Sequence, residues 1–156
     1  MATTAATVHL PAFVRLGNLV MTTLLRAGVR VTGPNRVPTY LLTVRGRKSG
    51  QPRTTPIVTI EQDGKRYFLT PFGVVDWVRN LRAAGEATLT RGRRVEKIQA
   101  TELSSEEGSL VLKRGLEERN IPSFLVKYFG MSATSSEEEL RETAAQHPVF
   151  LLQSIA

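Results

Sequence analysis

The sequence predicts an α+β fold in which about six strands form an antiparallel sheet that closes into a barrel, with helices at the ends and in the connections. Several β-rich segments are joined by tight turns, at Asp63-Gly64 and at Gly92, and such turns are typical of β-hairpins. Other segments repeat their apolar residues at helical spacing. We expect a barrel because closure leaves no unpaired strand edges.

The first predicted element is an amphipathic helix over residues 11–27, in which Pro11 suits the first turn and Gly28 the stop. Its apolar residues at helical spacing are Phe13, Leu16, Val20, Met21, Leu24 and Leu25. Gly33, Pro34 and Asn35 then break the chain before the first strand.

The alternation of residue types predicts strands over residues 39–45, 53–62, 65–70, 86–91, 93–102 and 147–155. Helical periodicity predicts a helix over residues 74–84 that ends at Gly85. Ser104 and Ser105, followed by two glutamates, open a helix that reaches about Arg119. The spacing of Ser135 and Glu138 predicts a capping box at the start of one more helix.

Length and composition predict one domain over residues 1–156, with a helix and linker in residues 1–35 and the barrel with inserted helices in residues 39–156. The chain has no cysteine, which excludes disulfides, thiolate chemistry and iron–sulfur clusters. His9 and His147 lie at opposite ends of the sequence, which argues against a catalytic triad or a histidine metal site. With no long apolar stretch and no signal-like start, we expect a cytoplasmic protein.

Charge is distributed unevenly along the chain. Residues 1–100 hold 16 Lys/Arg against 5 Asp/Glu, a net charge of +11, whereas residues 101–156 hold 5 against 9, a net charge of −4. This asymmetry predicts an anionic partner for the first two-thirds of the chain: nucleic acid, a membrane surface or a phosphorylated small molecule.

The segment GRKSGQPR, residues 46–53, places three cations and two glycines between two predicted strands. We call it the basic turn. Cationic side chains, a hydroxyl and accessible backbone amides can converge there on one anion. From composition alone, a solvated hairpin turn explains the segment equally well.

Residues 41–57, LLTVRGRKSGQPRTTPI, together with residues 76–94, DWVRNLRAAGEATLTRGRR, resemble the deazaflavin-dependent nitroreductase family, a branch of the flavin-reductase-like split β-barrels. The likeness covers roughly residues 39–103 and weakly the last strand. It implies a six-stranded antiparallel split β-barrel that binds coenzyme F420, an 8-hydroxy-5-deazaflavin with a phosphate and a polyglutamate tail.

The resemblance also implies site residues. The family's phosphate-side contacts fall on Arg47, Lys48, Ser49, Arg53, Thr54, Thr55 and Pro56, and Ile57 and Val58 extend that wall toward the ring. The ring-side loop falls on Thr70, Pro71, Phe72 and Gly73, and the following helix start on Asp76, Trp77, Val78, Arg79 and Asn80. This loop is shorter here than the lysine- and glycine-rich loop of many relatives.

The resemblance implies a reductase that transfers a hydride from C5 of the reduced deazaflavin to a quinone, an enone or a nitro compound. The cofactor carries the chemistry, so an enzyme without cysteine or paired histidines is feasible. Water or Tyr128 is the expected proton donor. Tyr128 and Phe129 either line the acceptor pocket or serve packing, which explains aromatic residues equally well.

Two alternatives remain open. An FMN enzyme on the same barrel would use the same cationic turn for its phosphate. A non-catalytic basic module for membrane or nucleic acid is the other; nucleic acid is disfavoured because few aromatic residues interleave with the basic run. The first helix either caps the barrel or touches anionic lipid. We expect a monomer or a homodimer.

Overall fold

The computed structural model describes residues 10–27 and 39–155. Its helices are α1 Ala12–Arg26, α2 Asp76–Ala84, α3 Ser105–Glu117, α4 Ser123–Phe129 and α5 Glu137–Gln146. Its strands are β1 Thr39–Arg45, β2 Pro52–Gln62, β3 Lys65–Phe68, β4 Glu86–Arg91, β5 Arg94–Glu102 and β6 Phe150–Ser154. The predicted α+β fold with six antiparallel strands is confirmed.

The six strands form a closed barrel in the order β1-β2-β3-β6-β5-β4. Every neighbouring pair is antiparallel, and β4 closes the barrel on β1 with Leu42 opposite Leu89. Asp63 and Gly64 both have positive φ, 51° and 72°, at the turn from β2 to β3. That conformation suits the right-handed twist of a hairpin, so the Asp-Gly signal located this turn correctly.

The interior of the barrel is the first hydrophobic core. Its buried strand residues are Leu42, Val44, Ile57, Phe68, Ala87, Leu89, Ile98, Ala100, Phe150 and Leu152. Helix α2 adds Val75, from its N-cap, with Val78 and Leu81, whose side chains are fully buried. Packing of α2 against β1 therefore places the first turn of this helix beside the basic turn.

A second core lies between the sheet and the helices α3, α4 and α5. Its buried residues are Ile60, Tyr67, Leu69, Val111, Leu112, Ile121, Leu125, Phe129, Met131, Leu140, Ala144 and Val149. Helix α4 was not predicted as a helix; it is a seven-residue run between Pro122 and Gly130. Phe129 of this helix belongs to the core, so the structure shows the packing role for this residue.

Helix α1 packs against β1 and β2, which agrees with the capping position. Leu25 is buried and Met21 is half-buried. The other predicted apolar residues point away from the barrel: Phe13, Leu16, Val20 and Leu24 are all exposed. The face that packs is thus only partly the apolar face read from the sequence.

The capping box of α5 lies one residue later than predicted. The Ser136 hydroxyl accepts from the Glu139 backbone N–H at 3.1 Å, and the Glu139 carboxylate accepts from the Ser136 N–H. Ser135 is occupied elsewhere, because its hydroxyl accepts from the Ser132 N–H at 2.9 Å. The Ser135 and Glu138 prediction is therefore wrong by one position.

Smaller differences concern element ends. The strand predicted over residues 65–70 ends at Phe68, the helix predicted over 74–84 begins at Asp76, and α3 ends at Glu117. The strand predicted over 147–155 is confined to β6, since His147 belongs to the end of α5. His9, Gly28 and the break at residues 33–35 lie outside the described residues.

Candidate functional site

A cavity of about 530 Å³ lies beside the basic turn, where β2, α2 and α1 begin. Its lining residues are Leu10, Arg15, Gly46, Arg47, Lys48, Ser49, Arg53, Thr54, Thr55, Val75, Asp76, Trp77 and Asn80. We call it the cationic cavity, because its lining carries four cationic side chains and one carboxylate.

The basic turn is fixed by its own backbone. The Gly46 N–H donates to the Gln51 carbonyl at 2.8 Å, and the Gly50 N–H donates to the Gly46 carbonyl at 2.9 Å. A Cβ at Gly46 would lie 2.8 Å from Ser49 Oγ and 3.1 Å from the Gln51 carbonyl. A glycine is therefore needed for the turn to close this tightly.

Arg47 ties the basic turn to α2. Its backbone N–H and its Nη1 both donate to Asn80 Oδ1, at 3.1 and 2.8 Å, and its Nη2 lies 3.3 Å from Asp76 Oδ1. Asn80 is buried, so its amide oxygen has exchanged water for these two bonds. Arg79 also approaches Asp76, at 3.6 Å. Two cations thus offset the carboxylate of Asp76.

The other cations of the cavity carry no such contact. Among the described residues, Arg15, Lys48 and Arg53 form neither an ion pair nor a side-chain hydrogen bond. Three uncompensated positive charges around one concave surface favour an anion there.

The N-terminus of α2 adds to this field. The N–H groups of Val78 and Arg79 bond to the Val75 carbonyl, whereas those of Asp76 and Trp77 have no acceptor within the described residues. Free amides and the helix dipole at a helix start both attract negative charge. Trp77 also contacts Phe68 of the core edge-on, with ring centroids 6.2 Å apart, so it lines the cavity from a fixed position.

The predicted ring-side loop is held by the segment before β6. The hydroxyl of Thr70 donates to the Pro148 carbonyl at 2.9 Å, and Nδ1 of His147 lies 2.7 Å from the Thr70 carbonyl. Because a carbonyl only accepts, Nδ1 carries the proton. Burial holds the pKa of His147 below its ordinary value, although the bond to Thr70 acts in the opposite direction.

Phe72 in this loop packs against Tyr128 of α4, with ring centroids 4.9 Å apart and planes tilted by 55°. The Nζ of Lys127 lies 5.2 Å from the centre of the Tyr128 ring. Neither Phe72 nor Tyr128 lines the cationic cavity. They form a separate aromatic pair on the side of α4.

The structure brings together nine of the residues predicted to bind the cofactor: Arg47, Lys48, Ser49, Arg53, Thr54, Thr55, Asp76, Trp77 and Asn80. The other predicted residues do not line the cavity: Pro56, Ile57, Val58, Thr70, Pro71, Phe72, Gly73, Val78 and Arg79. Ile57 and Val78 are core residues of the barrel.

Besides Gly46 of the basic turn, the lining includes three residues that sequence reasoning missed, Leu10, Arg15 and Val75. Leu10 and Arg15 come from the first helical segment, and no local pattern connects it with the basic turn. Val75 adjoins Asp76, so extending the predicted site residues by one position would have included it.

Within the described residues, no group of three histidine or acidic side chains is arranged to hold a metal ion. In the same parts of the chain, no helix combines the length and apolar character needed to cross a membrane.

The fold resembles those of several solved structures. A solved F420-H2-dependent reductase is 24% identical, with 74% of this chain and 94% of that chain covered and a TM-score of 0.51. A structure described as a domain-swapped dimer is 22% identical, with coverage of 90% and 97% and a TM-score of 0.51. A protein of unknown function from Agrobacterium tumefaciens is 16% identical, with coverage of 86% and 55% and a TM-score of 0.50. These similarities establish the class of barrel.

The family itself is shown by the sequence. The family described as F420H(2)-dependent quinone reductase matches residues 19–131, and the chain belongs to it. The protein is therefore an oxidoreductase whose cofactor is coenzyme F420. No curated protein matches the chain.

The residues of the cationic cavity fit this cofactor. Its phosphate and glutamates are anionic, and Arg15, Lys48 and Arg53 present positive charge without a described ion-pair partner. The ring system is flat and aromatic, and Val75 and Trp77 offer apolar surface to its face. The cationic side chains thus match the phosphate and glutamates of the cofactor, and the apolar side chains match its ring.

Proposed function

We propose that this protein reduces an electron-poor organic acceptor, a quinone, an enone or a nitro compound, and that the cationic cavity binds its cofactor. The observation that carries the proposal is the convergence of three cations without a described ion-pair partner on one cavity beside Trp77. When bound, coenzyme F420H2 supplies a hydride from C5 of its deazaflavin.

The residues of the chain divide the work of binding. Lys48, Arg53 and the Ser49 hydroxyl hold the phosphate and the glutamate carboxylates through charge-assisted hydrogen bonds. Thr54 and Thr55 continue the polar wall along β2. Arg47 and Asn80 keep the turn at a fixed distance from α2, so the cations are positioned before the ligand arrives.

The residues assigned to the ring side lie beyond the cavity lining. Pro56, Ile57 and Val58 follow Thr55 on β2 but lie outside the cavity lining, as does the loop from Thr70 to Gly73. The bonds of Thr70 to the segment before β6 fix the position of that loop.

The proton that accompanies the hydride comes from water or from Tyr128. Tyr128 packs against Phe72, which connects it to the ring-side loop. A Tyr128→Phe variant retains the ring contact and removes the hydroxyl. Unchanged turnover in that variant would assign the proton to water.

FMN is the alternative cofactor, since its phosphate would meet the same cations. Fluorescence titrations of the purified protein with F420 and with FMN compare the two dissociation constants directly. We expect tighter binding of F420, because its glutamates add carboxylates that FMN lacks.

We also propose that the protein forms a homodimer, because one similar structure is described as a domain-swapped dimer. Sedimentation velocity distinguishes a homodimer from a monomer.

We further propose that α1 contacts anionic lipid. Its exposed apolar residues and the absence of acidic residues from the helix favour this contact.

The test of the cationic cavity uses Lys48→Ala and Arg53→Ala, with Lys65→Ala and Arg93→Ala as controls. The controls remove exposed cations that do not line the cavity. A lost charge-assisted contact is worth roughly 1.5–3 kcal/mol, or about ten- to a hundredfold in the Kd for F420. Raising the salt concentration should weaken binding by wild type more than by either cavity variant.

If all four variants bind F420 with the Kd of wild type, the cofactor does not bind in this cavity. The activity is tested separately by mixing the protein with F420H2 and each class of acceptor and following the appearance of F420. Oxidation that requires only molecular oxygen would overturn the proposed acceptor classes.

A further inference from the structure

Helix α1 begins at the cationic cavity, which nothing in the sequence pattern indicates. Leu10 and Arg15 line the cavity together with the basic turn and α2. Both residues precede residue 19, where the match to the quinone reductase family begins. The family match therefore does not cover them, and the structure alone places them at the cavity.

The position of Arg15 is fixed by the packing of α1. Val14, Asn18 and Met21 are half-buried and Leu25 is 1% exposed, and these residues face β1 and β2. Arg15 follows Val14, so its side chain leaves the helix at the border of the packed face. Leu10 packs against the barrel core and holds the start of the segment in place.

The charge around Arg15 has no internal explanation. Helix α1 contains no acidic residue, and the single carboxylate of the cavity lining, Asp76, is already approached by Arg47 and Arg79. Arg15 forms no ion pair with any described residue. A guanidinium held beside two further cations is repelled in the empty cavity and attracted by an anion within it.

We propose that Arg15 is a further binding residue for the acidic part of the cofactor, and that the bound anion links α1 to the basic turn. The proposal rests on the proposed function of the cavity. Phosphate and glutamate carboxylate share the chemistry that a guanidinium recognises. A bound anion between Arg15 and Lys48 also holds α1 more firmly on the barrel.

The binding test compares Arg15→Gln with Arg26→Gln, a change of the same charge on the same helix outside the cavity lining. We expect Arg15→Gln to raise the Kd for intact F420 about tenfold and Arg26→Gln to leave it unchanged. Both variants should unfold at the wild-type temperature, because both arginines are exposed.

Two fragments of F420 identify the group that Arg15 contacts: one keeps the phosphate but lacks the glutamates, and the other lacks both. If loss of affinity persists with the phosphorylated fragment that lacks glutamates, the contact is to phosphate, and if it disappears, the contact is to glutamate. The fragment without either group should bind wild type and Arg15→Gln equally. A loss of the same size with that fragment would overturn the proposal, since the effect would then not involve an anion.

Hydrogen exchange gives a second readout that needs no turnover. F420 should slow exchange in residues 12–26 of wild type and of Arg26→Gln, and it should do so much less in Arg15→Gln. If wild type binds F420 but Arg15→Gln matches Arg26→Gln in both measurements, Arg15 is not a binding residue. If wild type itself does not bind F420, the proposed function fails as well, so the two failures are distinguishable.

Discussion

Asn80 shows how one buried amide determines the geometry of a site on another element. Its Oδ1 accepts two hydrogen bonds from Arg47, one from the backbone and one from the side chain. The basic turn is therefore attached to α2 at the point where α2 faces the cavity. Sequence reasoning assigned both residues to the cofactor, whereas the structure shows that they first hold each other.

We expect Asn80→Ala to lower the free energy of unfolding by about 1–3 kcal/mol, because it removes the shared acceptor of two part-buried hydrogen bonds from Arg47. The Kd for F420 should rise as the turn loosens. Asn80→Asp retains the acceptor, so its stability should be near that of wild type, but its added negative charge should still weaken binding. Thermal unfolding and fluorescence titration separate these effects; unchanged stability in Asn80→Ala would contradict the positioning role.

Helix α1 illustrates how an element can serve two surfaces. One face packs on β1 and β2, and another face exposes Phe13, Leu16, Leu19, Val20 and Leu24. It is unusual for a helix that contacts only water to expose several large apolar residues. Capping of the barrel and contact with lipid are therefore compatible.

The expected result is that wild type co-sediments with vesicles containing anionic lipid and that Leu16→Gln with Val20→Gln does not. Leu110→Gln with Val95→Gln is the matched control, because Leu110 and Val95 are 62% and 66% exposed on other elements. Both double variants should keep wild-type stability. Wild type that remains in the supernatant would limit α1 to its place on the barrel.

At the scale of the whole molecule, the two ends of the barrel interior are closed by different chemistry. Helix α2 covers one end with Val78 and Leu81. Toward the other end, Arg66 donates to both carboxylate oxygens of Glu96, at 3.0 and 2.6 Å, and Ser154 donates to the same carboxylate. This ion pair joins β3 to β5 across β6.

The hydrogen bonds from Arg66 hold the pKa of Glu96 below its ordinary value of 4.5. Glu96 thus ionises more readily in the folded state than in the unfolded state. The stability that this ion pair contributes is fully present above pH 4.5, and it is lost as the pH falls through the lower pKa of the folded state. We expect Glu96→Gln to cost about 1–2 kcal/mol at pH 7 and to lose less stability than wild type on acidification. Urea unfolding between pH 7 and pH 3 measures this, with Glu86→Gln as an exposed control; parallel curves for wild type and Glu96→Gln would contradict it.

The features that the sequence predicts correctly are those that depend on interactions between nearby residues. The Asp63-Gly64 hairpin turn, the helix stop at Gly85 and the cap at Ser104 depend on a few neighbouring residues, and all were predicted. The capping box at Ser136 was misplaced by one residue because Ser135 and Ser136 offer the same hydroxyl. Only the fold of the preceding turn decides between them.

The sequence by itself determined the strand pattern, the basic turn and the family resemblance, because each is written in contiguous residues. The tertiary structure decided that Asn80 holds Arg47, that Thr70 is bound to the segment before β6, and that Arg15 reaches the cavity. These contacts join residues that are far apart in sequence. Strand register and helix packing bring them together, and both depend on burial of apolar surface summed over the whole chain, which no local pattern encodes.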